Sequence, residues 1–240
     1  MTSPLRILIT GFGPFPGAPF NPTMPLVKRL AALRRPALDE VAIATHIFDV
    51  TYATVDRELP QLLATHRPHA LLMFGLAART PYLRIETRAR NAITTIWPDA
   101  DGTQMGKRSI AGTADARAFG PHTLILLRAA QAIGIDARAS RDAGSYLCNY
   151  LCWRAIEATS ARHDPEKWRP VFGRDHAETE HAPRLAAFVH IPLLARDGKA
   201  LRKNSGRITL DHLADAGEAM LLEMVKAARR ARPMHEFKNE

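Results

Sequence analysis

The chain of 240 residues is long enough for one substantial hydrophobic core, and its 46% hydrophobic and 24% charged residues are typical of a soluble globular protein. Two cysteines are too few for a disulfide framework, and we find neither a signal segment nor an apolar run of membrane-spanning length, so we expect a cytoplasmic protein that does not enter a membrane. The net charge of +9 comes mainly from arginines spread along the chain, which argues against a specific nucleic-acid partner.

The first third of the chain predicts alternating strands and helices. Short runs that are almost wholly apolar predict buried strands, and leucines three or four residues apart predict helices. The predicted elements here are strands at 5–10, 41–48 and 70–75 and helices at 26–33 and 51–66. A shaped loop rich in glycine and proline follows the first strand, and Pro60 is expected to kink the second helix or to begin a new one.

The middle of the chain is more polar. From Leu83 to Asn91 apolar and charged residues alternate, which predicts an extended segment with one charged face. The sequence Pro-Asp-Ala-Asp-Gly at 98–102 predicts a turn, and a polar loop continues to about residue 120. A helix is predicted at 123–133 from its recurring leucine and alanine residues.

The last part of the chain returns to regular elements, with strands predicted at 135–140 and 185–191 and a final helix capped by Thr209. Residues 160–183 are charged, rich in histidine and without clear period, so we interpret them as a surface insertion in a single domain that spans 1–240. The predicted fold class is α/β, a single-domain α/β/α sandwich with a central, largely parallel (mixed) twisted sheet flanked by helices.

Cys148 is the strongest candidate for a catalytic residue. Strand character ends before Asp142, and Leu147 and Leu151 then recur at helical spacing, so Cys148 is predicted in the first turn of a helix that follows a strand. Unpaired backbone N–H groups and the positive end of the helix dipole favour a thiolate there. Cys152, one turn further along beside Trp153, is predicted to pack in the core.

A thiol nucleophile needs a base, and the base needs a group that orients it. His190 lies at the end of a predicted apolar strand, and Glu86 interrupts the extended segment, so both are candidates to act with Cys148 at the end of the sheet. The alternatives remain open from the residues alone, because a cysteine on an apolar helix face is often an inert buried thiol and a histidine often has a structural role.

A metal site is the rival use of these residue types. Cys148 and Cys152 share a helix face, but no second pair shows the spacing of a zinc site. A second group could hold a cation, although a polar surface loop explains it more simply; it consists of His176, Glu178, Glu180 and His181. We therefore predict no metal and no cofactor.

Five motifs in chain order resemble the pyroglutamyl-peptidases (pyrrolidone-carboxylate peptidases), a family of cysteine peptidases that remove an N-terminal pyroglutamate. The resemblance covers about residues 5–195, and the motif around Cys148 is its most specific part. The motifs are ITGFGPF at 9–15 with NP at 21–22, GLA at 75–77 with Glu86, Ala89 and Asn91, PDADG at 98–102, AGSYLCN at 143–149, and FVHIP at 188–192.

The resemblance implies a role for each candidate. Cys148 would be the nucleophile, His190 the general base and then acid, and Glu86 the orienting carboxylate. It also implies a homo-oligomer, as a dimer or tetramer, and N-terminally pyroglutamylated peptides as substrates. An apolar pocket for the lactam ring would place the ring between Phe12 and Phe15, with a wall completed by Leu76, Tyr146 and Leu147.

The chain departs from the family pattern at three places. Thr87 stands where the family has an arginine, with Arg88 one place later, and Arg90 replaces a residue that is usually apolar. The separation between Cys148 and His190 is also longer than usual. The expected function is hydrolysis of the amide bond after a pyroglutamyl residue through a thioester, and the alternatives are a different small acyl or cyclic amide substrate, or an inactive binding homologue.

Overall fold

Six strands form one mixed sheet, and two short strands form a separate ribbon. The computed structural model describes residues 4–112, 114–161, 185–194 and 208–231. The strands are β1 (Leu5–Phe12), β2 (Val41–Phe48), β3 (Ala70–Leu76), β4 (Leu83–Glu86), β5 (Arg88–Arg90), β6 (Ala116–Ala118), β7 (Ala137–Ser140) and β8 (Leu185–Ile191). The α-helices in the described ranges are α1 (Thr23–Ala31), α2 (Tyr52–His66), α3 (His122–Ala132), α4 (Leu147–Ala161) and α5 (Leu210–Ala231).

The order of strands across the sheet is β2-β1-β3-β8-β4-β7. β2, β1, β3 and β8 run parallel, β4 pairs antiparallel with β8, and β7 runs parallel to β4. β8 therefore lies in the interior of the sheet with a hydrogen-bonded strand on each side. β5 and β6 pair antiparallel in the ribbon, which packs against α4.

Apolar side chains cover both faces of the sheet, as the alternation of side chains along a strand requires. One core joins the sheet to α1, α3 and α5 and includes Leu83 and Ile85 of β4. The other joins it to α2 and α4 and includes Phe188 of β8. Helices thus flank a mostly parallel central sheet, which confirms the predicted fold class.

Several predicted elements differ from the observed ones in detail. α2 runs as a single helix from Tyr52 to His66, so Pro60 lies inside it and does not begin a new helix. The predicted extended segment is two strands in different sheets, divided at Thr87. At the last helix, Thr209 acts as the predicted cap, since its Oγ1 accepts a hydrogen bond from the N–H of His212 at 3.2 Å. Residues 160 and 161, the start of the predicted surface insertion, belong to α4, and the rest of the insertion lies outside the described residues.

Candidate active site

His190 is placed in the middle of the sheet by its strand. In the register of β8, His190 lies beside Gly75 of β3 on one side and Arg84 of β4 on the other. Phe188, two residues earlier on the same face, packs its ring against the imidazole in an edge-on contact with 5.0 Å between the ring centres. The imidazole therefore faces α4, and its backbone is held on both sides.

Glu86 reaches His190 from the antiparallel neighbour β4. The His190 Nδ1 and Glu86 Oε1 atoms are 2.8 Å apart, and neither side chain is more than 5% exposed. A hydrogen bond from Nδ1 to the carboxylate fixes the orientation of the ring and leaves Nε2 for another partner. The structure therefore brings these two predicted residues together.

Cys148 completes the cluster from the other side. It is the second residue of α4, its side chain is partly accessible, and it lies close enough to His190 to raise the pKa of the imidazole. Its Sγ lies so close to the end of β3 that a Cβ added at Gly75 would be 2.8 Å from it and 2.6 Å from Cζ of Phe188. Only a glycine at position 75 leaves room for the thiol.

The charges around His190 favour its protonated form. Burial by itself lowers the pKa of the imidazole, but the negative charge of a Cys148 thiolate and the Glu86 carboxylate, with their hydrogen bonds, raise the pKa of His190 to about 9. At neutral pH the proton therefore rests on His190, and the ring carries a positive charge beside the thiol.

Cys152 lies in a different environment one turn along α4. It is fully buried, in the core beside Trp153, as predicted. Burial, with a smaller effect of Glu86, raises the pKa of the Cys152 thiol well above its ordinary value. This cysteine stays a neutral, packed thiol at neutral pH.

The beginning of α4 offers backbone donors next to Cys148. The N–H of Tyr150 donates to the carbonyl of Tyr146 at 3.0 Å, so the N–H groups of Leu147 to Asn149 precede the first intrahelical bond. The Asn149 amide fixes this end of the helix: its Nδ2 donates to the carbonyls of Arg90 and Ala92, each at 2.8 Å. The donors are thus held in a fixed position relative to the thiol.

The loop after β1 is braced from within. Asn21 donates to the carbonyl of Gly13 at 3.0 Å, and the hydroxyl of Thr23 donates to the carbonyl of Phe12 at 2.8 Å. Phe12 is only 3% exposed and packs on Phe48, whereas Phe15 is partly accessible and packs at the margin of the same core. Of the two phenylalanines, Phe15 therefore has the larger accessible surface.

The other three predicted pocket residues also differ in accessibility. Leu76 at the end of β3 and Tyr146 before α4 are partly accessible, whereas Leu147 is 1% exposed. Tyr146 donates its hydroxyl to the carbonyl of Pro98 at 2.9 Å. This bond connects the segment before Cys148 to the predicted turn at 98–102.

Ile96 and Trp97 are surface features that the motif analysis did not single out. They are 72% and 68% exposed, on a loop that is fixed to the segment before Cys148 by the N–H of Thr94, which donates to Ser145 at 2.6 Å. Their exposure could have been suspected from the sequence, because two large apolar residues lie directly before a turn that begins with a proline.

Arg84 and Ser140 were also missed. Arg84 Nη2 lies 3.1 Å from Glu86 Oε1, and the same guanidinium donates to Ser140 Oγ. The spacing of Arg84 and Glu86 could have predicted their contact, because residues two apart on a strand share a face. Thr87, one of the departures from the family pattern, donates its hydroxyl to the carbonyl of Ser140 at 2.8 Å, and Arg90 pairs with Asp142 at 3.1 Å.

No group of three or more metal-ligating side chains is found within the ranges that the structure describes. The histidine-rich group at 176–181 lies outside those ranges. None of the described helices is both long and apolar enough to cross a membrane.

An α/β/α fold with a thiol, an imidazole and a buried carboxylate at one end of a sheet is typical of hydrolases with a cysteine nucleophile. Comparison with known proteins gives the family. The model of the pyroglutamyl peptidase family matches residues 5–169. The pyrrolidone-carboxylate peptidase of Thermococcus onnurineus is 28% identical over 93% of this chain and 100% of its own length, and that of Pseudomonas fluorescens is 31% identical over 65% of this chain and 74% of its own.

Solved structures agree on the fold. Pyroglutamyl peptidase I of Bacillus amyloliquefaciens superposes with a TM-score of 0.73, at 24% identity, over 92% of this chain and 97% of its own. The pyrrolidone carboxyl peptidase of Thermococcus litoralis superposes with a TM-score of 0.75, at 23% identity, over 97% of each chain. The chain belongs to the pyroglutamyl peptidase family, as the motifs predicted.

Proposed function

We propose that this protein is a cysteine omega-peptidase that hydrolyses the amide bond after an N-terminal pyroglutamyl residue. The observation that carries the proposal is the continuous contact from the Cys148 thiol through His190 to the buried Glu86 carboxylate. The substrate class is supported by membership of the family and by the names of its relatives, which are pyrrolidone-carboxylate peptidases.

The raised pKa of His190, about 9, defines how the reaction begins. The Cys148 sulfur attacks the pyroglutamyl carbonyl as a thiolate, with the proton of the Cys148–His190 pair on the imidazole. The carbonyl oxygen becomes an oxyanion, for which the N–H groups at the beginning of α4 are suitable donors. The tetrahedral intermediate then collapses, the C–N bond breaks, and His190 gives its proton to the leaving amine.

The second half of the reaction regenerates the enzyme. The neutral His190 now accepts a proton from a water molecule, which attacks the thioester carbonyl. Pyroglutamate leaves, the C–S bond breaks, and the proton on His190 again faces a thiolate. Glu86 stabilises the imidazolium and holds the ring with Nδ1 toward the carboxylate, so that Nε2 serves the thiol and the leaving group.

The lactam is assigned to the surface beside Cys148 that the accessible predicted residues form. Phe15, Leu76 and Tyr146 provide contact surface, and the buried Phe12 and Leu147 support them from the core. A flat, uncharged ring suits such an apolar pocket. Trp97 extends the apolar surface along the loop that is fixed to Ser145 and Tyr146.

A different small acyl or cyclic amide is the second candidate substrate. Thr87 and Arg90, two of the three departures that raised it, contact the Ser140–Asp142 segment. Other small amides are therefore a comparison in the assay.

The test is the release of a fluorescent amine from a pyroglutamyl amide by wild type, Cys148→Ala and Cys152→Ala. We expect activity in wild type and Cys152→Ala and a loss of at least about 1,000-fold in Cys148→Ala, the scale for removal of a nucleophile. Cys152→Ala is the matched control, because it removes a thiol from the same helix. Folded, reduced wild type that cleaves a different acyl amide but not the pyroglutamyl amide would contradict the substrate.

The reactivity of the Cys148 thiol distinguishes an active peptidase from an inactive binding homologue. A catalytic Cys148 should react with iodoacetamide at pH 6 much faster than an ordinary thiol, because the positive charge of the adjacent His190 favours the reactive form of the sulfur. If Cys148 reacts no faster than a free cysteine and no amide is hydrolysed, the protein is a binding homologue.

A further inference from the structure

The buried carboxylate of Glu86 has an unequal set of partners. Its side chain is 0% exposed, and both His190 Nδ1, at 2.8 Å, and Arg84 Nη2, at 3.1 Å, approach the same oxygen, Oε1. Oε2 has no hydrogen-bond partner among the described residues. A buried carboxylate that lacks a full set of hydrogen-bond donors is stabilised by nearby positive charge. Arg84 is the permanent positive charge in contact with it.

Arg84 is itself held at a fixed position. Its Nε and Nη2 atoms donate to Ser140 Oγ at 3.2 and 2.8 Å, and Nη2 also donates to the carbonyl oxygen of Asp142. Its strand position lies between His190 of β8 and Arg138 of β7. The guanidinium therefore has little freedom to leave the carboxylate.

Arg84 also contacts the segment that precedes α4, the helix that carries Cys148. Asp142 accepts a hydrogen bond from the N–H of Gly144 at 2.9 Å, and its other carboxylate oxygen pairs with Arg90 at 3.1 Å. α4 begins at Leu147, shortly after this turn. Arg84 thus contacts both the group that orients His190 and the segment that precedes Cys148.

We propose that Arg84 is a positioning residue for the reaction: it holds the Glu86 carboxylate against His190 and connects that carboxylate to the Ser140–Asp142 segment. This inference rests on the role that the proposed function gives to Glu86. Neither the family motifs nor the predicted site residues include Arg84.

The electrostatic effect has a defined sign. The charged and titratable groups around Glu86 and Arg84 on this side of the sheet are Cys148 and Cys152 of α4, His190 of β8, Asp142 after β7, and Arg90 of β5, which pairs with Asp142. Removing the positive charge of Arg84 makes the net charge of these side chains more negative. Protons then bind to them more tightly. The acid limb of the pH profile for thiolate reactivity should then move to higher pH.

The experiment compares Arg84→Met, Arg84→Lys and the control Arg138→Met. Arg138 lies directly beside Arg84 on the next strand, and its ion pair with Asp136 is largely exposed. For Arg84→Met we expect kcat to fall about 10- to 100-fold, as misplaced groups do, with KM within about twofold of wild type. Arg84→Lys should recover the pH profile but only part of kcat, because lysine lacks the forked contact with Ser140. Arg138→Met should behave as wild type.

A second readout does not depend on the substrate. The rate of Cys148 alkylation by iodoacetamide between pH 5 and 9 should show the upward shift in Arg84→Met and not in Arg138→Met. If wild type cleaves no pyroglutamyl amide but the shift is present, the proposed substrate is wrong and the role of Arg84 stands. An unchanged alkylation profile and an unchanged kcat in Arg84→Met would overturn the inference, even if the variant were less stable.

Two further outcomes are decisive. A rise in KM with unchanged kcat would contradict a positioning role and assign Arg84 to substrate binding. If Arg84→Met does not fold, Ser140→Ala takes its place, because it removes the hydroxyl that anchors the guanidinium and leaves the charge. A fall in kcat of about threefold or more, with no change in KM, supports the proposal for that variant, and wild-type kinetics would overturn it.

Discussion

The first and second turns of α4 carry the two cysteines of the chain in contrasting surroundings. In the first turn, Cys148 is partly accessible, contacts His190 and lies beside free backbone donors. In the second turn, Cys152 is enclosed by the core, and burial raises the pKa of its thiol. We therefore expect the position of each thiol relative to the helix end, the sheet and one imidazole to decide its reactivity, since the helix and residue type are the same.

Replacing Glu86 by glutamine should make the thiol of Cys148 nearly as unreactive as that of Cys152. The variant keeps the shape of the side chain but removes the negative charge that stabilises the imidazolium and fixes the ring. We expect kcat to fall by about 10² to 10⁴-fold, the range for loss of an orienting carboxylate. Amide hydrolysis and alkylation of Cys148 at pH 6 measure the effect, and near wild-type values for both would contradict the assigned role of Glu86.

Gly75→Ala tests the close approach of Cys148 to β3. The added Cβ would lie 2.8 Å from Sγ and 2.6 Å from the ring of Phe188, so the thiol or the ring must move. We expect a loss of activity of about 100-fold, the cost of a displacement near 1 Å.

Gly217→Ala is the control for Gly75→Ala. A Cβ at Gly217 would lie 2.9 Å from Leu30, in the core on the opposite face of the sheet. Each glycine variant should lose about 1–3 kcal/mol of unfolding free energy from overpacking. Equal losses of activity in the two folded variants would show that the effect of Gly75→Ala is general destabilisation.

The smallest expected effect is on the titration of His190. In Cys148→Ala the pKa of His190 should fall from about 9, since burial then opposes only Glu86. A fall of about 1–3 pH units is expected for removal of one adjacent charge, and Cys152→Ala should cause none. Titration of the imidazole by NMR in the three proteins measures this, and equal pKa values in wild type and Cys148→Ala would exclude the thiolate–imidazolium pair.

The same pKa predicts a dependence of stability on pH. The folded-state pKa of about 9 lies above the unfolded value of about 6.5, so protonated His190 stabilises the fold fully below about pH 6.5. That contribution is lost as the pH rises through about 9. The difference in unfolding free energy between wild type and Cys148→Ala should therefore narrow over this interval in chemical denaturation.

Much of the fold could be predicted because long apolar runs and helical spacing are local signals. β2 and β8 have the predicted bounds, and the family and fold class are confirmed. The direction of β4 was not predictable, since antiparallel pairing with β8 depends on a distant strand. β6 has three residues, too few for a periodic pattern. α2 continues through Pro60 because its packing against neighbouring elements outweighs a local preference.

The site was predictable where a motif names a residue and less so where a contact depends on geometry. Glu86, Cys148 and His190 come together in the structure as the resemblance implied. The accessibility of Phe12 and Leu147 could not be predicted, because apolar residues in a motif suit both a pocket and the core beneath it. The compartment, the state of assembly and the boundaries of the domain stay predictions.

The interior position of β8 affects how much the length of the connection between α4 and β8 can change during evolution. Hydrogen bonds to β3 and β4 set the register of His190, so its place relative to Cys148 does not depend on the length of chain that joins α4 to β8. Doubling the length of a flexible connection costs only about 0.6 kcal/mol in closure entropy. Residues between these two elements can therefore be gained or lost during evolution while His190 keeps its distance from Glu86 and Cys148.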